Sequence, residues 1–299
     1  MIRTALFIVL HAFLSGGLVS AGGGLQEADP DSLFFREAED SLRALATRIV
    51  RPEGDEERLQ NNQEFKTHLN EVLAHEGSFN YPLDSLGPVS VLYAPDKHFR
   101  LFTWYVPLSG QEFRYFGYLQ RGPEEALNDA LYELTDNTGQ IGEEEAGVLD
   151  PGNWYGAYYY EVIHHQDEEG KDLYTLLGWK GNNSRTRIRV IEPLVIRQGD
   201  PVFGHRVFDG PYAGNHRVIF QYSAAVSMSL QYEQDFFQKG DSLYHMIVFD
   251  RLEPQNERLR GHYQFYKPEV NIFDGMYFED GRWVLVEDVD ARMPAPEEK

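Results

Sequence analysis

The chain has 299 residues, with 48 Asp and Glu against 27 Lys and Arg, which gives a formal net charge of −21. Because nucleic-acid backbones and anionic membrane surfaces attract proteins rich in Lys and Arg, this charge argues against both as partners. Aromatic residues make up 14% of the chain and hydrophobic residues 42%, a composition typical of a folded globular protein. There is no cysteine, which excludes disulfide bonds, thiol nucleophiles and Cys-ligated zinc.

Residues 1–21 have the three-part pattern of a secretory signal peptide. Arg3 supplies an early positive charge, residues 5–14 form an apolar run, and small residues precede a cleavage point after Ala21. This run, like every later segment, is shorter than the about 20 apolar residues that a membrane span needs. The sequence therefore predicts export to the periplasm or the cell exterior, with residues 22–299 as the mature chain.

Residues 22–85 contain two apolar patterns with helical spacing. Asp29 can cap a helix that begins at Pro30 and carries an apolar stripe at Phe34, Ala38, Leu42, Leu45 and Ile49. After a break at residues 51–54, a second series ends near Gly77 and consists of Leu59, Phe65, Leu69, Val72 and Leu73. Together these patterns predict an N-terminal helical hairpin.

From residue 86 to residue 292 the sequence changes to short runs rich in Tyr, Phe, Val and Leu, separated by Gly, Asp, Asn and Pro, which is typical of antiparallel strands. Strands are predicted at 89–93, 98–106, 113–120, 155–165, 172–179, 186–196, 217–223, 226–232, 243–250, 262–266, 276–278 and 282–288. One inserted helix is predicted at 123–135, where Gly122-Pro123 precedes an apolar stripe at Leu127, Ala130, Leu131 and Leu134. The tail, residues 293–299, is predicted to be loose.

Two predicted strands are apolar on both faces. In residues 98–106 and again in 243–249, apolar side chains occupy both alternating sets of positions. Strands of this kind are covered on both sides. The sequence therefore predicts a mainly β protein of antiparallel strands, arranged as a meander, a sandwich or a small propeller, with the helical hairpin at its N-terminus.

Motifs of the common hydrolases, metalloproteases and nucleotide-binding proteins are missing from the sequence. His164 and His165 are the most conspicuous candidates for metal ligands. Because neighbours in a strand point to opposite faces, these two imidazoles cannot bind one ion together, and a metal would need ligands from other strands. We therefore expect no metal ion and no cofactor.

Five residues are candidates for ligand binding. Arg185, Arg187 and Arg189 fall on one face of a predicted strand, where they can bind a carboxylate, phosphate or sulfate, or pair with acids on neighbouring strands. Tyr158 and Tyr160 are predicted to share a face of another strand, where they can hold a sugar or peptide, or pack in the core.

Four stretches carry a resemblance to a family: VLYAPDKHFRLFTW (91–104), YTLLGW (174–179), IVFDRLEP (247–254) and WVLVEDVDAR (283–292). Together they resemble a group of secreted proteins of Bacteroidota-type bacteria with no assigned activity. The resemblance covers most of the chain after Leu86. It implies export and a β-rich fold, and it implies no reaction, cofactor or catalytic residue.

Two hypotheses about function follow. The first is an exported, non-catalytic binding or structural protein of the cell envelope, whose partner is a glycan or another envelope protein. The alternative is a secreted glycan hydrolase that uses a carboxylate pair, since the acids that cleave glycosidic bonds have no fixed sequence spacing. The hydrolase predicts a cleft with two carboxyl groups about 5 to 9.5 Å apart, whereas the binding protein predicts exposed aromatic or arginine side chains without such a pair.

Overall fold

A computed structural model describes residues 30–51, 54–123 and 130–290. The helices are α1, Pro30–Ile49, and α2, Asp55–Leu73. The strands are β1 Ser90–Tyr93, β2 Phe99–Leu108, β3 Glu112–Arg121, β4 Leu131–Thr135, β5 Tyr158–Gln166, β6 Asp172–Lys180, β7 Thr186–Arg197, β8 Asp200–Phe203, β9 Val218–Ser223, β10 Leu230–Lys239, β11 Ser242–Pro254, β12 Tyr266–Glu279 and β13 Arg282–Val289. The predicted signal peptide, the predicted cap at Asp29 and the tail at 293–299 lie outside the described residues.

The strands form three antiparallel sheets that follow the order of the chain. The first sheet is β1-β2-β3-β4, and the third is β10-β11-β12-β13. The second is β5-β6-β7-β8, and β9 pairs with the half of β7 that β8 leaves open. As far as the chain is described, none of these sheets closes on itself. The predicted fold class, mainly antiparallel β with an N-terminal helical hairpin, is confirmed.

The helices and the three sheets form four layers that pack against one another through apolar side chains, in the order helices, first sheet, second sheet and third sheet. One face of the first sheet, with Phe102 and Trp104, packs against the helices, and its other face, with Phe99 and Leu101, packs against the second sheet. The opposite face of the second sheet packs against the third. The prediction that residues 98–106 are covered on both sides is therefore confirmed.

The third sheet has the same two-sided character. Ile247 and Phe249 face the second sheet, while Met246 and Val248 belong to a smaller apolar cluster on the outer face. This confirms the prediction for residues 243–249. The second sheet is thus the central β-layer, with a sheet on either side.

The helices cover the first sheet through a stripe in which two predicted residues of α1, Phe34 and Leu45, are replaced by their neighbours Phe35 and Ala46. The buried apolar residues of α1 are Phe35, Ala38, Leu42, Ala46 and Ile49. Phe34, which the sequence pattern assigns to this stripe, is 40% exposed and stacks on His75. In the described part of the chain, no helix has the length and apolarity that a membrane crossing requires.

A buried arginine fastens the helical layer to the first sheet. Arg100, in β2, donates hydrogen bonds to the carbonyl oxygens of Ser78 (2.8 Å) and Tyr81 (2.7 Å) and to Gln120 Oε1 (2.7 Å). Because a buried charge is tolerated only when its donors are satisfied, these bonds define how the segment after α2 lies on the sheet.

Three elements differ from the predictions. Residues 131–135 form β4, paired with β3, where the sequence predicts the end of a helix at 123–135; residues 124–129 of that helix lie outside the described residues. The short strand β8 has no counterpart among the predicted strands. Tyr266–Glu279 is one strand where the sequence predicts separate strands at 262–266 and 276–278, and residues 263–265 form a 3₁₀ turn.

Candidate metal centre

Five polar side chains from the first and second sheets meet between these sheets. Asp96 and His98 lie in the turn between β1 and β2, His164 lies in β5, and Asp172 and Tyr174 lie in β6. We call these five residues the Asp–His cluster. Tyr174 is buried, whereas the other four side chains are 16% to 33% exposed and can be reached from solvent.

The turn between β1 and β2 orients the Asp96 carboxylate. Lys97 adopts a left-handed backbone conformation (φ 65°), and its N–H donates to the carbonyl oxygen of Ala94 at 2.9 Å. The N–H of His98 donates to Asp96 Oδ1 at 3.1 Å, a turn-stabilising bond that Asp commonly makes. Oδ2 of Asp96 therefore faces the second sheet, where the Tyr174 hydroxyl donates to it at 2.6 Å.

The hairpin of β5 and β6 places His164 beside Asp172. Its register pairs His164 with Tyr174 and Gln166 with Asp172, so Asp172 is a diagonal neighbour of His164 on the same face. His164 Nε2 lies 2.9 Å from Asp172 Oδ1 and 3.3 Å from Asp96 Oδ2. The imidazole stacks on the Tyr174 ring with centroids 5.0 Å apart, which restricts its orientation.

Asp96, His164 and Asp172 bring three potential metal-ligand atoms close together, and we call these residues the core of the cluster. Each offers one ligand atom, and the three atoms lie within 4.8 Å of one another. Bonds of about 2.0 to 2.2 Å to a single ion place neighbouring ligand atoms about 3 to 3.5 Å apart. Both distances from His164 Nε2 are close to this range, so small side-chain adjustments would seat an ion among the three residues.

His98 contacts the core from the side of the first sheet. Its Nδ1 lies 3.2 Å from Asp96 Oδ2, 3.7 Å from Asp172 Oδ2 and 3.1 Å from the Tyr174 hydroxyl. A group in this position can serve as a further ligand, or as the outer hydrogen-bond partner that orients the ligating carboxylates.

The surroundings of Asp172 favour its ionised form. Burial acts to raise the pKa of Asp172, but hydrogen bonds from His164 and Gln166 and the two nearby imidazoles outweigh it, and the pKa lies below its usual value. Burial and the hydrogen bond to Asp96 raise the pKa of Tyr174 far above its usual value. Asp172 is thus negatively charged at neutral pH, as a metal ligand must be, while Tyr174 remains a neutral donor.

His164 and His165 point to opposite faces of the second sheet, as strand alternation predicts. His165 stacks on Phe278 with centroids 4.1 Å apart and meets the edge of Trp283, both in the third sheet. The two histidines therefore share no site. The groups that join His164 come from strand β6 and from the turn between β1 and β2, and the sequence pattern marks neither Asp96 nor Asp172 as a metal ligand.

Two arginines of the predicted stripe, Arg187 and Arg189, form hydrogen bonds with backbone carbonyl oxygens of the protein itself. Arg187 donates to the carbonyl oxygens of Gly181 (2.8 Å) and Asn183, and Arg189 donates to that of Met228 at 3.1 Å. Arg185 is exposed. Backbone carbonyls, rather than acids on neighbouring strands, therefore satisfy Arg187 and Arg189.

The prediction that Tyr158 and Tyr160 share a face is wrong. The register of β5 shifts between Tyr159 and Glu161, and such a bulge breaks the alternation of side chains. Tyr158 packs against the core between the first and second sheets, and Tyr160 against the core between the second and third. The Tyr160 hydroxyl donates to the carbonyl oxygen of Leu230 at 2.8 Å, so this ring is a half-buried packing group.

A second polar group is closed off from solvent. Arg217 and Glu192 are both fully buried, with Nε donating to Oε1 at 2.7 Å, and the Tyr159 hydroxyl donates to the other carboxylate oxygen. The buried Lys180 ammonium lies 3.9 Å from the centroid of the Tyr155 ring, and burial lowers the pKa of Lys180 to about 8. These groups are buried, so a ligand in solution does not reach them.

Comparisons of the chain with protein-family models, with curated proteins and with solved structures found no match. The geometry of the Asp–His cluster is therefore the basis for assigning a function.

Proposed function

We propose that this chain is an exported, non-catalytic protein that binds one divalent transition-metal ion at the Asp–His cluster. The observation that carries the proposal is the convergence of three ligand atoms, from Asp96, His164 and Asp172, within 4.8 Å of one another. Asp96 belongs to a turn of the first sheet, and His164 and Asp172 belong to the second. A bound ion therefore joins the two sheets and stabilises their packing.

The ligand types favour Zn²⁺, Mn²⁺ or Fe²⁺. Imidazole nitrogen is a ligand for these ions, whereas Ca²⁺ takes six to eight oxygen ligands. A soft ion such as Cu⁺ selects sulfur ligands, and the chain has no cysteine. The partial exposure of the cluster lets the ion exchange with solution.

Export is part of this proposal, supported by the signal-peptide pattern of residues 1–21 and by the resemblance to secreted proteins. The glycan-hydrolase alternative stays a prediction, as does a glycan or envelope protein as partner. Hydrolysis by a carboxylate pair needs two carboxyl groups on opposite sides of a scissile bond. Asp96 and Asp172 instead approach the same imidazole, which favours the binding of a cation.

Calorimetric titration of the purified protein with ZnCl₂ tests the proposal. We expect one Zn²⁺ per chain, and a Zn²⁺ affinity at least about tenfold lower in His164→Gln and in Asp172→Asn. Replacing even an outer residue that only hydrogen-bonds to a metal ligand typically lowers metal affinity by about tenfold or more. CaCl₂ should not compete.

His245→Gln is the matched control. His245 also lies beside a carboxylate, Asp235, at 3.4 Å, but in the third sheet and with a single acid. This variant should bind Zn²⁺ like the wild type. Unchanged Zn²⁺ affinity in both His164→Gln and Asp172→Asn would show that the Asp–His cluster is not the site.

A further inference from the structure

The described ligands of the Asp–His cluster do not fill the coordination sphere of an ion. The group of described residues whose ligand atoms all lie within 4.8 Å of one another consists of Asp96, His164 and Asp172, and His98 is not part of it. Structural zinc sites are usually closed by four protein ligands, whereas a site with three protein ligands keeps a position for water or another small ligand. The Asp–His cluster corresponds to a site of the second kind.

His98 carries a proton on the nitrogen that faces the core. Its Nδ1 lies 3.1 Å from the Tyr174 hydroxyl oxygen, and that hydroxyl donates its own proton to Asp96 Oδ2 at 2.6 Å. The other neighbours of Nδ1, Asp96 Oδ2 at 3.2 Å and Asp172 Oδ2 at 3.7 Å, are acceptors as well. Nδ1 is therefore a donor, and a nitrogen that keeps its proton is not a metal ligand. His98 is thus placed to donate a hydrogen bond to a molecule bound on the ion.

The open position can be reached by a small molecule. The side chains of His164 and Asp172 are 22% and 33% exposed. Asp172, at the first position of β6, also lines a cleft of about 860 Å³ between the second and third sheets. Because sites of small ligands usually have volumes of about 300 to 1,000 Å³, there is room for a small molecule beside this ligand of the ion.

The charge of the site favours a singly charged anion. The carboxylates of Asp96 and Asp172 together balance the charge of a divalent ion, so a bound monoanion makes the centre only singly negative. A doubly charged anion such as sulfate would add a second negative charge, in a chain whose net charge is already −21. A carboxylate has the single charge, its oxygen is a ligand for these metals, and it accepts strong hydrogen bonds from an imidazole N–H.

We propose that the ion in the Asp–His cluster binds a small carboxylate from solution, and that His98 donates a hydrogen bond to the bound carboxylate. The inference rests on the proposed metal site and assigns a ligand class to it. The protein is then a metal-dependent receptor for small organic acids.

Visible absorption of the Co²⁺-loaded protein tests the proposal, because the Co²⁺ bands depend on the number and geometry of the ligands. Sodium acetate, titrated at constant ionic strength, should change the spectrum and reach saturation, whereas sodium sulfate should leave it unchanged. In His98→Ala the dissociation constant for acetate should rise about tenfold or more, because a hydrogen bond to a charged group is lost. His245→Gln, whose imidazole lies in the third sheet beside Asp235, is the matched control and should respond like the wild type.

The outcomes separate this inference from the metal site itself. No bound Co²⁺ spectrum in the wild type would overturn the metal site and this inference together. A bound spectrum that acetate does not change, or that sulfate changes equally, would overturn the inference alone. An acetate response that appears only in His98→Ala would show that His98 closes the site as a fourth ligand, and undiminished acetate affinity in this variant would overturn the role of His98 as a donor.

Discussion

Replacing Glu192 by Gln should destabilise the protein strongly, because this acid neutralises positive charge in the interior. Glu192 and Arg217 are both 0% exposed and are joined at 2.7 Å, and Lys180 is buried in the same region. Gln has nearly the size of Glu and still accepts a hydrogen bond from Arg217, but it removes the negative charge. Leaving one member of a buried ion pair uncompensated costs about 3 to 5 kcal/mol. We expect a loss of about 3 kcal/mol in the free energy of unfolding, at the lower end because a hydrogen bond remains.

Urea unfolding followed by tryptophan fluorescence measures this change, since the Trp154 indole N–H donates to the Tyr159 hydroxyl beside the pair. The control, Glu253→Gln, breaks an ion pair with Lys267 whose side chains are both 41% exposed, and it should cost less than about 1 kcal/mol. Replacing both buried charges, as Glu192→Leu/Arg217→Met, should give a more stable protein than Glu192→Gln alone. Equal unfolding midpoints for Glu192→Gln and the wild type would refute this reasoning.

Three further outcomes are expected. Burial lowers the pKa of Lys180 from 10.5 to about 8, so between these pH values the unfolded chain binds a proton that the folded chain does not. The free energy of unfolding should therefore rise with pH across this window, by up to about 3 kcal/mol. Urea unfolding at pH 8 and pH 9.5 should show a smaller rise in Lys180→Met than in the wild type. Phe35→Ala should lower the free energy of unfolding by about 3 to 5 kcal/mol, because this ring is only 4% exposed. Phe34→Ala should lower it by about 1 kcal/mol or less, because the neighbouring ring is 40% exposed. Equal losses in urea unfolding would contradict the assigned buried stripe of α1. Zn²⁺ at 100 times its dissociation constant should stabilise the wild type by about 2.7 kcal/mol in thermal unfolding, and this gain should be absent in Asp172→Asn.

Local patterns in the sequence predict much of the fold. The two-sided apolar alternation of residues 98–106 is sufficient to predict a strand with layers on both faces, because side-chain direction in a strand depends only on position. The same rule fails at Tyr160, where a bulge in β5 shifts the alternation. Apolar spacing also misleads at β4: Leu131 and Leu134 have the spacing of a helix, but their segment pairs with β3 as a strand. Bulges and non-local pairing leave little trace in a single sequence.

The Asp–His cluster, too, is only partly predictable from the sequence. The pairing of His164 with Asp172 is accessible from the sequence, because a tight turn at residues 167–170 sets the register of the hairpin and brings Asp172 diagonally opposite His164. The contact of Asp96 with His164 cannot be predicted in this way, because it depends on how the first sheet packs on the second. No spacing rule connects a turn in one sheet with a hairpin in the next.

X-ray diffraction from crystals grown with Zn²⁺, recorded on both sides of the zinc absorption edge, tests the metal centre most directly. We predict one anomalous peak about 2.0 to 2.2 Å from ligand atoms of Asp96, His164 and Asp172. Absence of a peak there, or a peak only at another place such as the His245–Asp235 pair, would contradict the assignment of the Asp–His cluster as a metal site.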